Sequence, residues 1–505
     1  MAAGKAQGRA RIRRAACAGL AVSWLFGGCA GPLSVSRTSS RAAYGAYIRG
    51  LMLERTAKLP DALDAYQMAL EYDQVSPQLH VRLGATYVKL GQTNEALAEF
   101  EQALRLNPDN ADALRWMAML HTSQGKLDDA VKVYERLLTL EPDDRFVLAT
   151  LADLYVLEGQ LEPSVELYRR LIVEYGPSSQ LFFNLGVLLG RLGRFDAALT
   201  ELSRALELSP EAIEVRVAMG LTYELRDEFE KAAAHYQGAI DLDPFNPRLY
   251  HHAARALASA HRYTEAAQNY QTVLDLTPAD LEAIMGLVRI WIAQKQFGRA
   301  EELLAKKLKE LDEPAELYVA LGILYREAEQ SAEAMRAFER AVAIKDDYAQ
   351  AHFYLGAQLD QLGRKDAARE RLRRTIELDA QHADALNYLG YLDADAGVNL
   401  KEAKALIERA IALDPTNGAY VDSLGWVYFR LGRLDEAVTT LEDARRLIDT
   451  DPVVFDHLGD AYHARGDDDR ARRNWQRALE LEPGQSAIVE KVQQITPHEV
   501  TATQP

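Results

Sequence analysis

Apolar residues return along this chain with helical spacing, in two short runs to every 34 residues. Leu83 and Tyr87 mark one amphipathic run, and Ala96, Leu97, Phe100, Ala103 and Leu104 mark the next. The spacing predicts a helix over Gln78–Leu90, ended by Gly91, and a second over Asn94–Leu106, after which Asn107-Pro108 turns the chain. This layout recurs thirteen times between Ala43 and Gln485. A Gly or Ala at the eighth place of a unit is followed by Ala at the twentieth, as in Gly50/Ala62, Gly84/Ala96, Gly220/Ala232, Gly322/Ala334 and Gly459/Ala471. Small side chains there let the two helices of a unit cross closely. A large residue at the twenty-fourth place, such as Tyr66, Phe100, Tyr134, Tyr236 or Trp475, fills the space beside them. Proline at the thirty-second place, as in Pro108, Pro142, Pro244 and Pro415, stops the second helix. Three units depart from the pattern and are expected to be softer joints. The eighth has Val288, no turn glycine and Lys307 at an alanine place; the fourth has Ser164 and Gly176-Pro177; the eleventh has one extra residue near Val398-Asn399.

The pattern resembles the tetratricopeptide repeat over about 443 residues. The resemblance implies an all-α fold, a right-handed α-solenoid superhelix of about 13 helix pairs. First helices would line a concave groove and second helices would face outward. Residues 1–28 then read as a signal peptide, 29–42 as a lipidated cysteine with a flexible tether, 43–485 as the superhelix, and 486–505 as a capping helix with a frayed tail. Contacts in such a stack are local, so its work falls to an extended surface.

The leader sets the expected compartment. Lys5, Arg9, Arg11, Arg13 and Arg14 precede an apolar stretch from Ala15 to Phe26, too short to span a bilayer and suited to a signal-peptide core. Leu25-Phe26-Gly27-Gly28-Cys29 resembles the bacterial lipobox, with Phe26 where Leu is usual. That resemblance implies lipidation at Cys29. The following Ala30, in place of Asp, implies the outer membrane over inner-membrane retention. Ala30 to Arg41 is rich in Gly, Pro, Ser and Arg and could reach roughly 40 Å when extended.

Composition narrows the functions. The formal charge is −17, and the cationic leader without acids hides part of it. Such an acidic chain argues against nucleic acid and against electrostatic adhesion to anionic lipid, leaving the lipid anchor as the membrane contact. The two cysteines, Cys17 and Cys29, both lie near the start, so no cysteine metal site or disulfide framework exists in the body. His251, His252 and His261 lack a converging set of ligands, and Asp467-Asp468-Asp469 lacks the glycine and final glutamate of a calcium loop; the aspartates fit a helix N-terminus. No cofactor motif, phosphate loop or catalytic grouping is visible, which points away from an enzyme. The run Arg364, Lys365, Arg369, Arg371, Arg373 and Arg374 reads as a solvated outward face.

The binding surface is expected at the C-terminal end. Asn387-Tyr388-Leu389-Gly390-Tyr391, Asp422-Ser423-Leu424-Gly425-Trp426 and Asp456-His457-Leu458-Gly459-Asp460 follow one another in three units. Places 2, 5, 9, 12 and 13 of the first helices should face the groove, which gives Phe353, Asn387, Tyr391, Asp422, Trp426, Phe429, Arg430, Asp456 and Asp460. Rings among carboxylates and an amide suit a bound protein segment. The same rings could instead pack between neighbouring helices. With the lipobox and the repeat number, these units look like the long tetratricopeptide-repeat lipoproteins of proteobacteria. Some of those are adaptors that bind and activate a periplasmic carboxyl-terminal processing protease and gather its substrates. The resemblance therefore implies an outer-membrane, periplasm-facing, non-catalytic adaptor. A scaffold for exopolysaccharide export or for pilus or envelope assembly is the alternative.

The anchor has a direct test. Cys29→Ala should leave a folded chain that no longer fractionates with membranes. A variant that stays membrane-bound through a carbonate wash contradicts the anchor.

Overall fold

The computed structural model describes residues 37–312 and 314–495. The expected signal peptide, Cys29 and the frayed tail from 496 onward lie outside the described residues. Among those residues every regular element is a helix, and there are 27. They form two compact units, divided after Leu188.

In the first unit, α1 Arg37–Arg55 pairs with α2 Leu59–Tyr72, α3 Pro77–Lys89 with α4 Thr93–Leu106, α5 Ala111–Ser123 with α6 Leu127–Leu140, and α7 Arg145–Leu157 with α8 Leu161–Tyr175. The helix α9 Ser179–Arg191 carries the chain across the division to α10 Phe195–Leu208. In the second unit the pairs are α11 Ile213–Glu224 with α12 Phe229–Ile240, α13 Pro247–Ser259 with α14 Tyr263–Leu276, α15 Leu281–Ala293 with α16 Phe297–Glu310, and α17 Ala315–Glu327 with α18 Ser331–Ile344. They continue as α19 Ala349–Gln361 with α20 Lys365–Leu378, α21 Ala383–Ala396 with α22 Leu400–Leu413, α23 Gly418–Arg430 with α24 Leu434–Leu447, and α25 Pro452–Ala464 with α26 Asp468–Leu481. The last helix, α27 Ser486–Gln494, packs on α26.

The glycines of the eighth place have a more specific reason than a close helix crossing. A Cβ on Gly84 would lie 2.5 Å from the Phe100 ring, and one on Gly220 would lie 2.5 Å from Tyr236. On Gly322 the distance to Phe338 would be 2.3 Å, and on Gly459 the distance to Trp475 would be 2.3 Å. The ring of the second helix therefore occupies the volume the glycine vacates. These rings are almost wholly buried. Where the large residue is Leu372, the neighbour of Gly356 stands back at 3.2 Å.

Each turn inside a pair passes through a left-handed residue. In eight turns it is a glycine, as at Gly91, Gly125, Gly363 and Gly466, and in the other five it is Ala57, Asp227, His261, Lys295 or Glu329; the turn between α21 and α22 has a second one, Asn399, after Gly397. The missing turn glycine of the eighth unit thus leaves the turn geometry unchanged, at a cost of about 1–2 kcal/mol for the Lys295 backbone. Between pairs, Asn110, Asp144, Asn246, Asp280, Asn417 and Asp451 cap the next helix by accepting from its backbone N–H groups.

Other irregular positions are resolved by local partners. Lys307 is buried at an alanine place, and its ammonium donates to Pro278 O at 2.8 Å and pairs with Glu310 at 2.9 Å. Ser164 is fully buried and donates to Ala152 O at 2.9 Å. Asp467 caps α26 by accepting from Arg470 N. Two expectations change. The tether was expected to run to residue 42, but α1 begins at Arg37; no Gly or Pro interrupts the chain between Pro32 and Gly45. The basic run on α20 is not uniformly solvated, because Arg369 is half-buried against Asp393, with Nε 2.7 Å from Oδ1 of a carboxylate that is 1% exposed.

Within the second unit, consecutive first helices touch, α13 with α15, α15 with α17, α17 with α19, α21 with α23 and α23 with α25. Consecutive second helices do not come comparably close. The first helices are therefore the inner row of this unit and the second helices the outer row.

The ring-in-slot contact predicts that Gly84→Val destabilises its unit by about 1–3 kcal/mol. Phe100→Leu in the same chain should recover part of that loss. Hydrogen exchange in α3 and α4 reports it; unchanged protection in Gly84→Val contradicts the packing account.

Candidate functional site

The inner row from α19 to α25 carries all nine residues expected at the binding surface, and the structure gathers six of them into two clusters. Phe353 of α19 sits in the first. Its ring centroid is 4.8 Å from that of His382 and 6.4 Å from that of Tyr388. Tyr388 in turn donates its hydroxyl to Asp360 Oδ2 at 2.8 Å, and burial together with that bond raises the phenol above its ordinary range.

Tyr391, Asp422, Trp426, Phe429 and Arg430 form the second cluster with His457, which the sequence reading had left out. His457 is 6% exposed, and its Nδ1 lies 2.9 Å from Asp422 Oδ2. A carboxylate only accepts, so the imidazole N–H donates. The Trp426 ring stacks on His457 at 4.2 Å and on Phe429 at 4.8 Å. Arg430 lies over the other side of the cluster, 5.9 Å from the Trp426 ring centroid, and is tied to the Asp395 carbonyl. The sequence could have flagged His457. It stands at the sixth place, where Tyr388 and Ser423 stand in the two preceding units, and a histidine beside two aspartates of its own motif is an ionisable outlier.

Tyr391 reports the field of this surface. Burial, followed by the carboxylates of Asp395, Asp422, Asp360 and Asp456, pushes its phenol up to about 12. Four consecutive first helices thus aim negative charge at one ring. Burial alone would lower the His457 imidazole; Asp422, then Asp456 and Asp460, outweigh it and hold the group above its ordinary value of 6.5.

Asp456 and Asp460 are not free. Lys491 of α27 reaches both, at 2.7 Å from Asp456 Oδ1 and 2.8 Å from Asp460 Oδ2, and Trp475 Nε1 donates to Asp460 Oδ1 at 3.1 Å. Burial would lower the Lys491 ammonium, but these two bonds hold it above its ordinary range. The last helix therefore closes the C-terminal end of the surface with its own cation. No repeat period could reveal this contact, because Lys491 lies beyond the final repeat.

Three polar atoms at the centre have no partner among the described residues. These are Asn387 Oδ1, Asp422 Oδ1 and Trp426 Nε1, all buried. Asp422 is 6% exposed, so its free oxygen is the costliest of the three. Asp422 and His457 have no hydroxyl nucleophile aligned with them at the neighbouring Ser423, whose Oγ donates to Ala419 O at 3.0 Å. Among the described residues no three His, Cys, Asp or Glu side chains converge as a metal site would require. The face therefore sets two unpartnered acceptors, Asn387 Oδ1 and Asp422 Oδ1, and one unpartnered donor, Trp426 Nε1, beside aromatic rings.

Comparison with known proteins adds family-level similarity. Models described as tetratricopeptide repeat match residues 81–145, 183–247, 257–321, 315–348, 358–417 and 393–452. A TPR repeat-containing protein of Pseudomonas aeruginosa is 39% identical over 89 residues, 18% of this chain and 15% of that protein. Superkiller complex protein 3 of Homo sapiens is 26% identical over 227 residues, 42% of this chain and 14% of that protein. The chain thus spans about one seventh of the length of these relatives. Among solved structures, the APC/C hetero-tetramer Cut9–Hcn1 aligns with 92% of this chain and 98% of its own, at 14% identity and a TM-score of 0.44.

The pairing of His457 with Asp422 sets a pH dependence. The folded state favours the charged imidazole, so that stabilisation is complete below 6.5 and fades as pH rises through the higher folded value. The stability lost in His457→Gln should therefore be larger at about pH 5 than at about pH 9. Hydrogen exchange in α23 and α25 measures it. A loss that does not vary with pH contradicts the charged pair.

Proposed function

The chain belongs to the tetratricopeptide-repeat family, a scaffold for protein–protein contact, and from that premise we propose a lipid-anchored adaptor of the outer membrane. It holds protein partners on the inner row of its C-terminal pairs, facing the periplasm. The partner is a periplasmic carboxyl-terminal processing protease together with its substrates, and the adaptor supplies recruitment and no catalysis. Cys29 carries the anchor.

One observation supports this reading above the others. Asp422 Oδ1, Trp426 Nε1 and Asn387 Oδ1 are buried without partners on three adjacent residues of the same face, beside the half-buried Tyr391 ring. A stack that only needed to hold itself together would lose nothing by replacing these groups with apolar ones. Their retention on one face fits a surface completed by another chain. The acidic surroundings of Tyr391 favour a segment that brings donors or cations.

Tyr391→Ala with Trp426→Ala should weaken capture of the partner by about 2 kcal/mol or more, roughly thirtyfold, with helix content almost unchanged. Lys306→Ala, whose side chain is 68% exposed on the outer helix α16, should change it little. Titration of the captured partner with circular dichroism as the folding control decides. Unchanged affinity in the double variant moves the site elsewhere. Co-purification of polysaccharide-export or pilus components, with no protease, assigns the alternative scaffold role.

A further inference from the structure

The second helices of consecutive pairs stand apart on the outer side of the second unit, and between α24 and α26 they leave a cleft of about 830 Å³. Its floor is aromatic, made by Phe455 and Tyr462 of α25, both buried. Its walls are cationic. Arg445 and Arg446 line it from α24, and Arg470, Arg473 and Arg477 line it from α26. The carboxylates in the lining are Glu442 and Asp449, so a chain of formal charge −17 gathers three net positive charges in one concavity.

Four of the five arginines also have an acidic neighbour on their own helix, so the cleft's feature is the gathering of guanidinium groups and not a large net charge. Arg445 pairs with Glu442 at 2.7 Å, Arg446 with Asp443 at 2.6 Å, Arg470 with Asp467 at 3.3 Å and Arg477 with Glu480 at 2.9 Å. All four are i,i+3 pairs open to solvent, the kind that contributes little. Arg473 has no ion-pair partner among the described residues. Arg470 and Arg477 lie 5.4 and 5.9 Å from the ring centroids of Tyr462 and Phe455. Stacking of that kind occupies guanidinium faces and leaves N–H edges available to an oxyanion.

We propose that this cleft binds a ligand carrying two or more phosphoryl groups. Guanidinium forks match phosphate oxygens in pairs, and a phosphoryl group brings up to two charges and three acceptors where a carboxylate brings one charge and two. That density suits five guanidinium groups held in one cleft. The same chemistry occurs in free polyphosphates and in the headgroup of a lipid with two phosphates, such as cardiolipin. The cleft lies on the outer row, away from the inner-row surface, and does not depend on the proposed adaptor role.

The test uses the full-length chain with Cys29→Ala, so that no lipid anchor contributes. Inorganic triphosphate is titrated by calorimetry, and cardiolipin–phosphatidylcholine vesicles are tested by sedimentation, both at about 150 mM salt. Arg473→Glu with Arg477→Glu should weaken binding about tenfold or more, while Arg105→Glu with Lys132→Glu in the first unit should weaken it less than about twofold. Triphosphate binding assigns a free phosphate ligand; vesicle binding alone assigns a headgroup. If the charge-reversed pair loses helix by circular dichroism, Arg473→Gln makes the same comparison with less perturbation. The proposal is overturned if neither probe binds, if the control weakens binding equally, or if polyglutamate binds more tightly than triphosphate, which would make the occupant an acidic protein segment.

Discussion

The helix pairs rest on one steric fit, a large side chain on the second helix entering the volume left by a small or missing side chain on the first. At Gly84 and Phe100, Gly220 and Tyr236, and Gly459 and Trp475, the added Cβ would overlap the ring. A packed interior cannot absorb such overlap without moving a helix. Repetition of the fit keeps each pair alike, and alike pairs stack with inner and outer rows. The inner row of the second unit then brings the fifth and ninth places of successive pairs, among them Asn387, Tyr391, Asp422 and Trp426, onto one row of first helices.

The fold was legible because its determinants repeat. Glycine and alanine at fixed intervals, aromatic residues sixteen places further on, and prolines at the pair boundary each predict the observed helices to within about a residue. What repetition could not convey was anything fixed by tertiary context. Lys295 adopts the left-handed turn that glycine fills elsewhere, because the two helices on either side dictate it. Arg369 looked solvated on its own helix, yet its partner Asp393 lies 24 residues away on the neighbouring inner helix.

The candidate face was legible in its members and not in its wiring. Counting places identified the residues of one face. It did not show that Asp456 and Asp460 are held by Lys491, or that Trp426 rests on His457. Those contacts change the role of each group. Two of the expected carboxylates close the end of the stack, while Asp422 keeps one oxygen unpartnered beside half-buried rings. The outer-row cleft escaped the repeat pattern altogether, since its five arginines come from two units and occupy different places in each.

The inner row around Asp422 and Trp426 is proposed to contact a protein partner. Photo-crosslinking from the cell envelope tests it most directly, with benzoylphenylalanine at Phe429, which stacks on Trp426, and at Lys306 on the outer row. The account predicts an adduct with one identifiable protein at Phe429 that is lost on Tyr391→Ala and absent at Lys306. Identical adducts from both positions, or none at Phe429 with a strong one at Lys306, would contradict it.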